Sequence, residues 1–232
     1  MRSADVLVVF LVLLLVVDQF VLGRLKLAAE PRPRVRVYGL IMAGHWLATR
    51  WAAAIVGLPR LWRISLSSVD AAWLPPTWLL TLLVLGFVCI VLVPAMLARM
   101  PGKRTVIERA MARLSYLLPQ THSERLCWVA LSITAGVCEE CLFRSFLLWY
   151  LQGSPWRLGF AASIGVACAL FAVGHVYQGI LPALGTGVLA IILFVFFLAS
   201  GSLLLPIVMH TLADMRVLLM IHDAKEPTPS GT

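Results

Sequence analysis

The sequence predicts an all-α, polytopic integral membrane bundle of about seven transmembrane helices, with its polar site in the last four. Three observations predict it. Hydrophobic residues make up 61% of the chain and charged residues 13%, about half the ~25% charged share of a soluble domain. Apolar runs long enough to cross a bilayer recur from end to end, and the mean hydropathy is +0.93. The basic residues behind a formal charge of +8 cluster between those runs, as they do in cytoplasmic loops. No basic face with interleaved aromatics lies outside the apolar runs, which excludes nucleic acid as a partner; the partner the composition demands is the lipid bilayer. No internal repeat is visible. Residues 1–232 read as a single membrane domain, with N-terminal spans in 1–100, a core in 120–222 and a flexible tail in 223–232.

Residues 6–22 are apolar apart from Asp18 and Gln19. No small-residue cleavage site follows them, and Arg24, Lys26, Arg32, Arg34 and Arg36 read as a stop-transfer segment, so this is a retained first span. Asp18 reads as interfacial. The second span, 37–58, contains His45 beside Trp46, and this histidine reads as a packing or interfacial residue. Residues 59–76 form a connection with a short interfacial helix around Trp62 and Trp73. In the third span, 77–97, Pro94 is expected to bend or end the helix. Residues 99–125 are the longest polar stretch, with an amphipathic helix expected over 111–118. Spans follow at 126–151, 158–177, 183–198 and 203–221, with 178–202 open to a re-entrant segment. The five cysteines lie in or beside apolar runs, where buried thiols act as small apolar fillers rather than a disulfide framework.

The fourth span carries charge where a membrane helix should have none. Glu139, Glu140 and Arg144 fall within it, and each charge at the bilayer centre costs about 2.5–3.5 kcal/mol on insertion scales. Helical geometry puts Glu140 and Arg144 on one face at i,i+4, with the acid on the favourable N-terminal side. Glu139 points about 100° away, toward a different neighbour. One carboxylate is neutralised within the helix and the other is left free. Further on, Phe171 and His175 lie one turn apart near the end of the fifth span, and His210 and Asp214 are paired at i,i+4 in the seventh. Pro206 precedes His210 by one turn and is expected to loosen that helix and free a carbonyl beside the site. A shared, water-containing cavity is the least costly way to hold these groups at membrane depth.

Glu139, Glu140 and Arg144, then Phe171 and His175, then His210 and Asp214, in this order on three late helices, resemble the CPBP family of intramembrane proteases. That family takes in CAAX prenyl endoproteases, bacteriocin-processing and self-immunity (Abi) proteins, and sortase-like enzymes that trim sorting signals. The resemblance spans about residues 120–220. Where the family usually has asparagine, and sometimes aspartate, this chain has Asp214. The resemblance implies that Glu139 is the general base, that His175 orients the water, and that His210, supported by Asp214, stabilises the oxyanion. Glu140, Arg144 and Phe171 would support the site. No cofactor is needed on this reading. An alternative keeps the same residues but makes Glu139, His175 and His210 ligands of zinc, with Glu140 as base.

Two other classes use the same cluster: a proton-coupled transporter, although the paired broken helices of such folds are not evident, and a non-catalytic binding or immunity protein. The implied substrate is a peptide or protein at the membrane, ending in a prenylated C-terminus, a leader peptide or a C-terminal sorting signal. The positive-inside rule puts the N-terminus outside and the C-terminus in the cytoplasm, and a bacterial inner membrane is the expected location.

Overall fold

The computed structural model describes residues 2–27, 34–63, 74–100, 102, 111–112, 114–153 and 155–221. Asp70, Trp73, Lys103, Arg104, Arg109, Arg113 and the tail 223–232 lie outside them, as do the side chains of Asp18, Gln19, Arg24 and Lys26. The described residues form eight helices and no strand beyond a single bridge between Arg63 and Ser202. They are α1 (Ser3–Leu27), α2 (Arg34–Val56), α3 (Leu58–Trp62), α4 (Thr77–Arg99), α5 (His122–Gln152), α6 (Phe160–Gly174), α7 (Ile180–Ser200) and α8 (Leu204–Met220). Three of them, α4, α5 and α7, are long and apolar enough to cross a membrane. The chain is an integral membrane protein, and α5, at 31 residues, is its axis.

The start of α5 is set locally. Thr121 caps it through its hydroxyl, 3.2 Å from the Glu124 N–H, while Glu124 accepts from the Gln120 and Thr121 N–H groups at 2.7 and 3.1 Å. This capping box satisfies donors that a helix start would otherwise leave orphaned. Arg34 of α2 reaches the Tyr116 carbonyl at 3.1 Å and Glu124 at 3.5 Å, and the Tyr38 hydroxyl donates to the Leu117 carbonyl. Of the amphipathic helix expected over 111–118, residues 111–112 are helical and 114–118 form successive turns tied down by these contacts. α2 then packs along α5, with Ala48, Thr49 and Ala52 buried on it, small residues of the kind that let membrane helices approach closely.

Other elements correct the sequence expectations in detail. Pro94 neither ends nor breaks α4, which continues to Arg99. Residues 180–200 are one unbroken helix, so no re-entrant segment lies there. The left-handed Gly201 (φ 64°) stops it, the conformation glycine adopts without steric cost. Pro206 sits in the first turn of α8, not its interior. A first-turn N–H has no intrahelical acceptor, so the proline costs that helix nothing; the Ser202 carbonyl one turn back accepts from the Ser200 hydroxyl at 2.8 Å. α3 is fastened beneath the site, with its Trp62 carbonyl 3.1 Å from the Leu203 N–H and its Arg60 carbonyl 3.1 Å from the Ser145 hydroxyl.

α8 crosses α5 where Gly136 presents no side chain. A Cβ there would collide with the Thr211 hydroxyl and lie 3.0 Å from the Ile207 carbonyl oxygen. Gly136→Ala is expected to cost about 1–3 kcal/mol through overpacking and to push His210 away from α5. Gly39→Ala, whose Cβ meets nothing within 4 Å, is the near-neutral control. Thermal unfolding of both variants in detergent checks this.

Candidate active site

α5 changes character at the acidic pair. It is α-helical to Glu139, a π-helix from Glu140 to Phe146, and α-helical again from Leu147. The Leu147 N–H reaches back to the Leu142 carbonyl, the i→i−5 pattern that often marks functional sites. All seven residues of the widened turn are buried. The sequence carries no periodicity signal for this segment.

The two glutamates part company there. Glu140 and Arg144 are fully buried, with Oε2 and Nε 3.1 Å apart. The guanidinium N–H groups are not directed at that oxygen, and none finds a hydrogen-bond acceptor among the described residues, so the contact is an ion pair rather than a hydrogen bond. Arg144 is instead stacked between aromatic faces, 4.5 Å from the Phe171 centroid and 5.7 Å from that of Phe194, where the ring quadrupoles stabilise a cation. The second oxygen of Glu140 lies 2.7 Å from His210 Nδ1. An ionised carboxylate only accepts, so Nδ1 carries a proton and Nε2 faces away from α5's charged pair. That Nε2 sits between two other carboxylates, 3.8 Å from Glu139 Oε2 and 3.7 Å from Asp214 Oδ2.

Phe171 orders the imidazoles. Its ring lies 4.7 Å from that of His175, 5.8 Å and edge-on from that of His210, and 5.1 Å from that of Phe143. Its carbonyl, 2.7 Å away, holds His175 Nδ1. A carbonyl cannot donate, so His175 carries its proton on Nδ1 and leaves Nε2 for the cavity. His175 itself lies just past the end of α6.

A cavity of about 220 Å³ is lined by Glu139, Phe171, His175, His210 and Asp214, together with Tyr177 and Arg216. Its apolar wall includes Leu114, Leu117 and Leu118 from the turns before α5. The structure therefore brings Glu139, His175, His210, Asp214 and Phe171 to one space, with Glu140 and Arg144 buried behind it. Glu139 Oε2 is buried and has no hydrogen-bond partner among the described residues. Its Oε1 lies 3.2 Å from His45 Nε2. His45, read from sequence as a packing residue, thus belongs to the site, and at a separation of 94 residues no spacing argument could have found it. Among the described residues no group of three or more His, Cys, Asp or Glu side chains is arranged to hold a metal ion.

No curated protein and no solved structure matches the chain. The family profile described as Type II CAAX prenyl endopeptidase Rce1-like matches residues 121–216, which runs from the Thr121 cap to Arg216 and holds Glu139, Glu140, Arg144, Phe171, His175, His210 and Asp214. Cap, widened turn, buried ion pair and the carboxylates and imidazoles of the site other than His45 fall inside that match, while the apolar wall of Leu114, Leu117 and Leu118 precedes it, and residues 121–216 are a domain of the Rce1-like type II CAAX prenyl endopeptidase family.

Proposed function

We propose that the chain is an intramembrane endopeptidase that hydrolyses a peptide bond near the end of a membrane-associated or lipidated substrate, using a water activated by Glu139. One observation carries the reading: the unpartnered Glu139 Oε2 is buried beside a cavity that it shares with His175, His210 and Asp214. A desolvated carboxylate oxygen beside room for water has the disposition of a general base. The water sits between Oε2 and His175 Nε2. Its proton passes to Oε2 as its oxygen bonds to the scissile carbonyl carbon. Doubly protonated, His210 gives Nδ1–H to Glu140 and offers Nε2–H to the oxyanion, with Asp214 beside it to hold the imidazolium. Glu139 then delivers its proton to the leaving amine as the C–N bond breaks, which restores the resting site.

Around this site we place about seven spans in a single membrane domain, with 120–222 as its catalytic core, the N-terminus outside and the C-terminus in the cytoplasm of a bacterial inner membrane. The substrate end is a prenylated C-terminus, a leader peptide or a C-terminal sorting signal. The family description supports the first of these.

The test compares the peptide termini of membrane and secreted proteins in source cells carrying wild-type protein or Glu139→Gln at equal level. A defined set of termini should disappear in the variant, and those termini identify the substrate. An unchanged set, under conditions where deletion has a phenotype, would sink the proposal and bring the transport or binding classes forward.

A further inference from the structure

We infer that His45 is a positioning residue for Glu139: an imidazolium that keeps this carboxylate ionised and aims its second oxygen at the cavity. The inference rests on the hydrolytic reading above. His45 Nδ1 lies 2.8 Å from the Ile41 carbonyl oxygen one turn earlier on α2. That oxygen can only accept, so Nδ1 carries a proton and Nε2 is the nitrogen left to meet Glu139. At 3.2 Å, an imidazole lone pair and a carboxylate oxygen repel unless a proton lies between them. A base ready to take a proton from water cannot already hold one, so the shared proton belongs to Nε2.

The contact divides the labour of the two carboxylate oxygens. Oε1 is held by His45, and Oε2 is the one without a partner. The other titratable and charged groups that line the cavity with Glu139 are His210, Asp214 and Arg216 of α8, and His175 and Tyr177 past the end of α6. His210 Nε2, at 3.8 Å, is beyond hydrogen-bond reach, so among the described residues His45 makes the hydrogen bond to the Glu139 carboxylate. The imidazole cannot swing away freely, because Ile41 pins it on one side and α2 is clamped to α5 by the Trp46 indole donating to the Thr134 hydroxyl at 3.3 Å. Residue 45 also lies outside the matched segment 121–216. The N-terminal half of the chain therefore adds an imidazole to a site whose other carboxylates and imidazoles, Glu139, His175, His210 and Asp214, come from the matched domain. His45 keeps its proton throughout turnover; the proton that moves travels from water to Oε2 and on to the amine.

The test uses the full chain in three variants, Glu139→Gln, His45→Ala and His45→Gln. Nitrogen-15 NMR of histidine-labelled protein in lipid nanodiscs, with the His45 signal assigned by its loss in His45→Ala, reads the proton directly. A protonated Nε2 in wild type at neutral pH and an unprotonated one in Glu139→Gln is the expected pair of spectra. In source cells, the rate of appearance of Glu139-dependent termini should fall about 10–100-fold in His45→Ala, the range for losing a residue that orients a site group. It should recover at least tenfold in His45→Gln, whose amide N–H still donates to Oε1, and a purely structural role would not predict that rescue. An unprotonated Nε2 in both spectra, or a wild-type rate in His45→Ala, overturns the inference. Wild-type processing by Glu139→Gln would instead remove the hydrolytic reading, while the spectra still judge the pair.

Discussion

Replacing Arg144 by methionine is expected to destabilise the protein by about 3–5 kcal/mol, the cost of stranding one member of a buried ion pair. Glu140 would keep its charge with no exposure to solvent, with only the His210 imidazole left to compensate it. The loss reaches further than the pair, because the guanidinium also fills the space over Phe171, and Phe171 sets both histidine rings. Lysine is not a conservative replacement here: a compact ammonium cannot spread over two aromatic faces as the planar guanidinium does. The double variant Glu140→Gln/Arg144→Met should recover most of the lost stability, since it removes both charges together. Denaturant or thermal unfolding in detergent measures all three. If Arg144→Met alone is as stable as wild type, the carboxyl of Glu140 is neutral in the folded protein and the pair is not ionic.

The second large effect falls on His175. Its Nδ1 proton is committed to the Phe171 carbonyl, so Nε2 is an acceptor facing the space where Glu139 Oε2 waits. His175→Ala should lower kcat by about 10²–10⁴-fold, the usual worth of a positioned proton-transfer group. KM should change by less than about threefold, because an interaction made only in the transition state leaves ground-state binding alone. The helix before it ends at Gly174 regardless of the imidazole, so expression and thermal stability should stay near wild type. Steady-state cleavage of a substrate drawn from the Glu139-dependent termini is the measurement. A raised KM with unchanged kcat would make His175 a substrate contact and leave Glu139 to orient its own water.

Much of this site is legible in the chain. Buried charge inside apolar runs is costly, so Glu139, Glu140, Arg144, His175, His210 and Asp214 stand out wherever the helices run. Two of their relations need only helical periodicity: Glu140 faces Arg144, and His210 shares a face with Asp214, each at one turn. The all-helical class follows as well, because a backbone in lipid must satisfy its own hydrogen bonds.

What the sequence by itself determined is therefore the solvent, the helical class and the inventory of groups that need one another. Tertiary structure alone decided who meets whom. The π-turn at Glu140–Phe146 arises from packing on several sides at once and has no local signal. The approach of α8 to Gly136 places His210 against Glu140 rather than in a pair with Asp214 alone. His45 reaches Glu139 because α2 packs along α5, and contacts between residues 94 positions apart are set by helix packing, which depends on the whole surface of both helices and not on the spacing within either.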